Sequence, residues 1–204
     1  MPYTEKMIKK LSNAIKKKQP KLLPCSVPSG ITLSPQQKIC DNIDLRIDSS
    51  GNWFYVNSPV LRTELTKLFS KHLVCDLEGQ HWLITPTEVC RVDVDDAPFI
   101  AVELTLRNPG PGQLIEFRTN IDTLFTLSPD HPFKMELHPK SKEVRPYIYL
   151  TSCMKAKVTR AVYYELVNLG VDFKDGDNNL FGVWSSAHFF VLSVENSLAS
   201  ETER

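Results

Sequence analysis

Hydrophobic and polar positions alternate along most of the 204-residue chain, and three stretches keep a helical period instead. Met7, Ile8, Leu11, Ala14 and Ile15 recur at helical spacing, with lysines on the opposite face. Leu61, Leu65, Leu68, Phe69 and His72 form a stripe that predicts a helix over 59–72. The Ser58 hydroxyl would cap it, with Pro59 at its first helical position. Val158, Ala161, Val162, Leu166 and Leu169 predict a third helix over 153–169, stopped by Gly170. Elsewhere the period is two. Ile43, Leu45 and Ile47 alternate with Asp44, Arg46 and Asp48, turn through 49–52 and return over 53–56 as a hairpin. Residues 73–77 and 80–85 flank Glu78-Gly79 as a second hairpin. Val89, Arg91, Asp93 and Asp95 then share one strand face, with Cys90, Val92 and Val94 on the other. Further strands are expected at 101–107, 114–118, in short pieces through 121–150, and as a pair at 181–184 and 189–194.

Pro20, Pro24, Pro28 and Pro35 exclude helix and central sheet from 19–38, which reads as an extended strap. The chain therefore divides into a basic helix and strap (1–40), a first half (41–100), a second half (101–194) and a polar, frayed tail (195–204). Each half holds several antiparallel strands and one main helix, so two related repeats are expected. The class is α+β, because the pattern lacks strand–helix–strand units with parallel crossovers.

Composition narrows the function more than it defines it. Net charge is zero, yet residues 1–21 carry seven lysines against Glu5, leaving 17 basic and 23 acidic groups on the rest. A basic arm on an acidic body does not suit phosphate backbones, so no nucleic-acid partner is expected. No apolar run is long enough for a membrane span. The five cysteines (25, 40, 75, 90 and 153) are odd in number and lack a Cys-x-x-Cys pair, which reads as free thiols in a reducing cytoplasm.

Chemical signatures are sparse. The five histidines show no zinc-type spacing with cysteine, no Gly-x-Ser-x-Gly surrounds a serine, and no phosphate-binding glycine loop opens a helix. No metal, cofactor or catalytic residue is assigned on these grounds. The densest carboxylate group is Asp93, Asp95 and Asp96; 93 and 95 share a strand face while 96 turns away. Either Asp95 or Asp96 could act as a general base, or could fix the turn into Pro98. Arg160 with Tyr163 and Tyr164 could hold a phosphate or form a structural ion pair.

Four motifs add a resemblance. Gly51-Asn52-Trp53-Phe54-Tyr55, Thr85-Pro86-Thr87-Glu88, the run from Val94 to Phe99 (VDDAPF) and Val183-Trp184-Ser185 resemble the bacterial family called domain of unknown function 1285, over roughly 41–194. The resemblance implies two similar repeats, the second pleckstrin-homology-like. It also implies a nucleotide-like ligand at their junction and a link to signalling. Carried onto this chain, the implied site residues are Arg62, Glu88, Asp95, Asp96, Asn120, Arg160, Tyr164, Trp184 and Ser185. The chain departs from the family pattern near Thr151, where an arginine is expected, and at Ser186 and Ala187, where glycines are expected. The expected function is thus a cytoplasmic module holding a small anionic ligand. Arg62 and Arg160 would supply charge, Tyr164 and Trp184 a stacking surface, and Asp95 and Asp96 acceptors. The alternatives are a protein-interaction adaptor, or a hydrolase or transferase using Asp95 or Asp96. Enzymatic activity is left open, the balance lying against it.

Overall fold

The computed structural model describes residues 28–40, 44–139, 141–176 and 178–195. The lysine-rich helix, the first part of the strap and nearly all of the polar tail lie outside these residues. The chain separates into two compact units, one made of 1–46 with 53–93 and the other of 47–52 with 94–204.

The N-terminal unit is built on a seven-stranded sheet. Its strands are β1 (Lys38–Cys40), β2 (Leu45–Ile47), β3 (Trp53–Tyr55), β4 (Ser58–Pro59), β5 (Leu73–Cys75), β6 (His81–Ile84) and β7 (Glu88–Val94). Their order is β4-β3-β2-β7-β6-β5, with β1 pairing β7 in parallel. Both expected hairpins are present, and Trp53, Trp82, Val89 and Val92 supply the core. The helix among its described residues, α1 (Thr63–Ser70), is shorter than the predicted 59–72 and starts later. Ser58 and Pro59 are strand instead: Val56 and Asn57 both have positive φ, a two-residue turn that folds Ser58 back against Tyr55. Proline is tolerated there because β4 is the sheet edge. Leu61, expected on the buried stripe, is exposed. Asp76 was not singled out by sequence, yet it organises the β5–β6 turn. Its buried carboxylate accepts from the N–H groups of Ser29, Glu78 and Gln80 and from Trp82 Nε1 at 2.8 Å. Cys40 and Cys90 stand outside any disulfide, whereas Cys75 is disulfide-bonded, which corrects the expectation of free thiols throughout.

The C-terminal unit holds two sheets and the second helix. The larger sheet orders its strands β10 (Leu124–Thr126), β9 (Leu114–Thr119), β8 (Phe99–Arg107), β13 (Lys155–Val158), β12 (Val144–Tyr149) and β11 (Phe133–Leu137). The smaller is a meander of β14 (Val171–Asp175), β15 (Asn178–Ser185) and β16 (His188–Glu195). Helix α2 (Arg160–Asn168) packs on β8 and β15 through Val162 and Leu166, one turn apart and both buried. The first part of the predicted helix 153–169 is therefore strand. Met154, Ala156 and Val158 are buried at period two with lysines between them, and β13 lies parallel to β8. Parallel pairing thus occurs here and at β1–β7 within otherwise antiparallel sheets. Thr159 ends the strand and caps the helix, its hydroxyl accepting from Val162 N–H. Gly170 follows the C-cap without a left-handed φ. Its lack of a side chain matters for packing, since a Cβ would lie 2.2 Å from the Phe181 ring. Cys153 is disulfide-bonded.

Strands thus dominate, with two helices among the described residues. No helix there is long and apolar enough to cross a membrane.

Candidate functional site

The C-terminal unit carries a cleft of about 700 Å³ where β13 ends and α2 begins. Its origin lies in strand register. β12 pairs with β13 only over Tyr147–Tyr149, so Val144, Arg145 and Pro146 run on without that neighbour and leave a gap. The gap is lined by these residues, by Lys157, Thr159, Arg160, Tyr163 and Tyr164, and by Ser49 and Ser50 of the turn belonging to this unit.

Two of the lining cations are held by one carboxylate. Arg145 and Tyr147 alternate onto one face of β12, and Lys157 lies opposite Tyr147 on β13, so all three reach Asp96. Asp96 Oδ1 accepts from the Tyr147 hydroxyl at 2.6 Å. Its Oδ2 accepts from Arg145 Nη1 at 2.7 Å and lies 3.4 Å from Lys157 Nζ. The buried neighbours Ala97, Pro98 and Phe99 fix this carboxylate in place. Burial alone would raise its pKa. The Tyr147 hydrogen bond and the charges of Lys157 and Arg145 outweigh burial and hold the carboxyl below its ordinary range. Burial, then the adjacent carboxylate, push the Tyr147 phenol up, so it stays a donor. An ionised carboxylate with both oxygens occupied is a poor general base. Arg145 also bonds Glu143 and Ser141, and Lys157 bonds the Ser49 carbonyl. Arg160 differs: no hydrogen bond or ion pair engages its side chain among the described residues. It is the first residue of α2, where the helix dipole adds positive potential.

The tyrosines are unequal. Tyr163 stacks on Phe133 with its ring nearly parallel, whereas Tyr164 is 55 % exposed. Nearby, β11–β13 carry a second charged and aromatic row. Glu136 accepts from Lys155 Nζ at 2.5 Å and from the Tyr149 hydroxyl, and Lys155 sits 3.9 Å from the Tyr147 ring centre. Burial and Glu136 raise the Tyr149 phenol to about 12.

Of the nine residues proposed from sequence, Arg160 and Tyr164 share this cleft, and Asp96 bonds two further lining residues. Asp95 donates its backbone N–H to the Ile47 carbonyl. Asn120 accepts from Ile100 N–H and donates to the Gly51 carbonyl, pinning the 49–52 turn from below. Trp184 and Ser185 line a different cavity, of about 430 Å³, with Gly110, Pro111 and Gln113. There Ser185 is buried, donating to the Leu127 carbonyl and accepting from Ile115 N–H. Arg62 and Glu88 belong to the N-terminal unit: Arg62 is exposed at the N-cap of α1, and Glu88 opens β7 beside Cys90. Arg145 and Lys157 were missed. Their signal was present as Arg145-x-Tyr147-x-Tyr149 and Lys155-x-Lys157, two period-two rows, but reading 153–158 as helix concealed it.

Two family descriptions match adjoining stretches of the chain. The N-terminal domain of the DUF1285 family, a domain of unknown function, matches residues 34–97, and the family's C-terminal domain matches 98–192. The chain belongs to the DUF1285 family. A solved DUF1285 protein from Silicibacter pomeroyi DSS-3 is 32% identical, with a TM-score of 0.67 over 79% of this chain and 87% of that one. A second, from Shewanella baltica OS155, is 30% identical with a TM-score of 0.49, over 62% and 92% respectively. No curated protein matches.

Proposed function

We propose that this DUF1285 protein is a binding module for a small, phosphate-bearing, nucleotide-like anion, held in the C-terminal cleft and read out in signalling. The observation that carries this is Arg160, a cation with no engaged partner among the described residues, at a helix N-terminus in a cleft that Arg145 and Lys157 also line. A guanidinium in that setting gains most from a phosphate oxygen. The exposed Tyr164 ring offers a face for a base, and Asp96 holds the other two cations ready, which limits the ordering cost of binding. The reading rests on the C-terminal unit alone. Within it the two units are related repeats, the second pleckstrin-like, supported by one helix and several antiparallel strands in each among the described residues; a crystal structure whose units fail to superpose would overturn that. Cys40 and Cys90, outside any disulfide, favour a cytoplasmic location, while disulfide bonding at Cys75 and at Cys153 counts against it. Thiol mapping of protein taken from cells decides between them.

Thermal-shift measurements with ADP, pyrophosphate and inorganic phosphate test the function. Binding should raise the melting temperature of wild type, and Arg160→Gln should abolish the rise. No rise with any of the three, or an equal rise in Arg160→Gln, would contradict it.

One observation favours a second reading, the protein-interaction adaptor. Val171, Phe173, Trp184 and Val191 share a partly exposed apolar face of β14–β16, where Phe173, Trp184 and Phe189 form a ring cluster. Sedimentation over a wide concentration range, with Trp184→Ser as comparison, tests for self-association through that face. A protein that stays monomeric throughout removes a second copy as its partner.

A further inference from the structure

We propose that Cys40, Cys90 and Glu88 form a metal site for one borderline-soft divalent cation, with zinc the fitting ion. The parallel pairing of β1 with β7 sets Cys40 opposite Cys90 and Lys38 opposite Glu88. Residues opposite one another in a sheet point to the same face, as do residues two apart on one strand. The topology therefore brings Cys40, Glu88 and Cys90 together on one side of the sheet. Their donor atoms, two Sγ and a carboxylate oxygen, all lie within 4.8 Å of one another. An ion equidistant from three atoms at that outer limit sits about 2.8 Å from each. Zinc takes sulfur at about 2.3 Å and carboxylate oxygen at about 2.0–2.2 Å. Closing that difference needs inward shifts of roughly half an ångström to just under one per donor, within the reach of small side-chain rotations.

The surroundings fit the same ion. Cys90 is buried, while Cys40 and Glu88 are half-buried, so the site has a wall and an open side where water can supply a fourth ligand. Two thiolates and one carboxylate select zinc over magnesium or calcium, which require more oxygens. Three anionic donors around a divalent ion leave one negative charge, and Lys38 on the same face can balance it. Cys40 and Glu88 are far apart in sequence and no Cys-x-x-Cys exists, so spacing rules could not find the site. It involves only the N-terminal unit and is independent of the anion cleft.

The test is titration of the reduced, chelator-stripped full-length chain with cobalt(II), the spectroscopic substitute for zinc. A thiolate-to-cobalt charge-transfer band with tetrahedral visible bands should saturate at one equivalent and vanish when zinc is added. Cys40→Ser and Cys90→Ser should each remove the band, and Cys25→Ser should leave it intact. Glu88 is half-buried, so Glu88→Gln should fold normally and bind at least tenfold more weakly. Should Cys90→Ser fail to fold, wild-type stoichiometry with Cys40→Ser and Glu88→Gln still decides. No thiolate band from folded protein, a band that survives Cys40→Ser, or one lost in Cys25→Ser would overturn the proposal. So would peptide mapping that finds Cys40 joined to Cys90 by a disulfide in protein taken from cells.

Discussion

Replacing Asp96 with asparagine should destabilise the C-terminal unit by about 2–3 kcal/mol at neutral pH, and the loss should shrink in acid. The Asp96 side chain is 2 % exposed and serves Tyr147 with one oxygen and Arg145 and Lys157 with the other. Removing one partner of a buried charge pair costs roughly 3–5 kcal/mol when the remaining charge stays buried. Arg145 and Lys157 keep 23% and 22% side-chain exposure, so water recovers part of that and the lower figure applies. Asparagine still offers an acceptor to Tyr147, which preserves about 1 kcal/mol. The pH dependence follows from the direction of the carboxyl shift. Its pKa is lower folded than unfolded, so the ionised form stabilises the fold fully above the ordinary carboxylate value. That stabilisation is lost as pH falls through the folded value. Denaturant unfolding of wild type and Asp96→Asn, compared at equal m-values at about pH 7 and about pH 3, measures it. Tyr147→Phe should cost about 1.5–2 kcal/mol alone and couple to Asp96→Asn by about 1 kcal/mol in a double-mutant cycle. A neutral-pH loss under about 1 kcal/mol, or a loss that persists undiminished in acid, would refute the network as described.

Asp76→Ala should cost about 3 kcal/mol in the N-terminal unit, because it strands the Trp82 indole N–H and three turn N–H groups; urea midpoints report it. Gly182→Ala should destabilise by roughly 1–3 kcal/mol, since the new methyl would lie 2.2 Å from the Phe190 carbonyl oxygen, a backbone atom with little room to yield. Ala187→Gly should stabilise by about 0.5–1 kcal/mol. Ser186 and Ala187 occupy the two-residue β15–β16 turn with φ of 52° and 60°, a conformation glycine adopts without strain. A calorimetric melt that falls on Ala187→Gly would contradict that account.

Hairpins were the legible part of this fold, because turn residues and period-two alternation agree at 45–55 and 73–84. Two helix boundaries were misread for a common reason: each residue set satisfied two rules. Ser58-Pro59 is a good helix start and an equally good edge strand after a tight turn, and Val56-Asn57 settled it for the strand. Met154, Ala156 and Val158 fit a helical stripe extending from α2, yet their pairing with β8 and β12 made them strand. Arg160 and Tyr164 were visible as a cation beside aromatics. Arg145 and Lys157 were not, because only the register Tyr147 opposite Lys157 brings them to Asp96. Asp76 and the Cys40–Cys90 pairing likewise depend on long-range contacts that no local spacing encodes.

Calorimetric titration of the full chain with ADP at low and moderate salt bears most directly on the anion-binding cleft. One site should appear, weakened by salt, with affinity falling about 10- to 100-fold in Arg160→Gln as one charge-assisted contact is lost. Arg107→Gln, which changes an exposed pair with Glu116 away from the cleft lining, should bind like wild type. Absence of ADP binding, or equal weakening in both variants, would contradict the account.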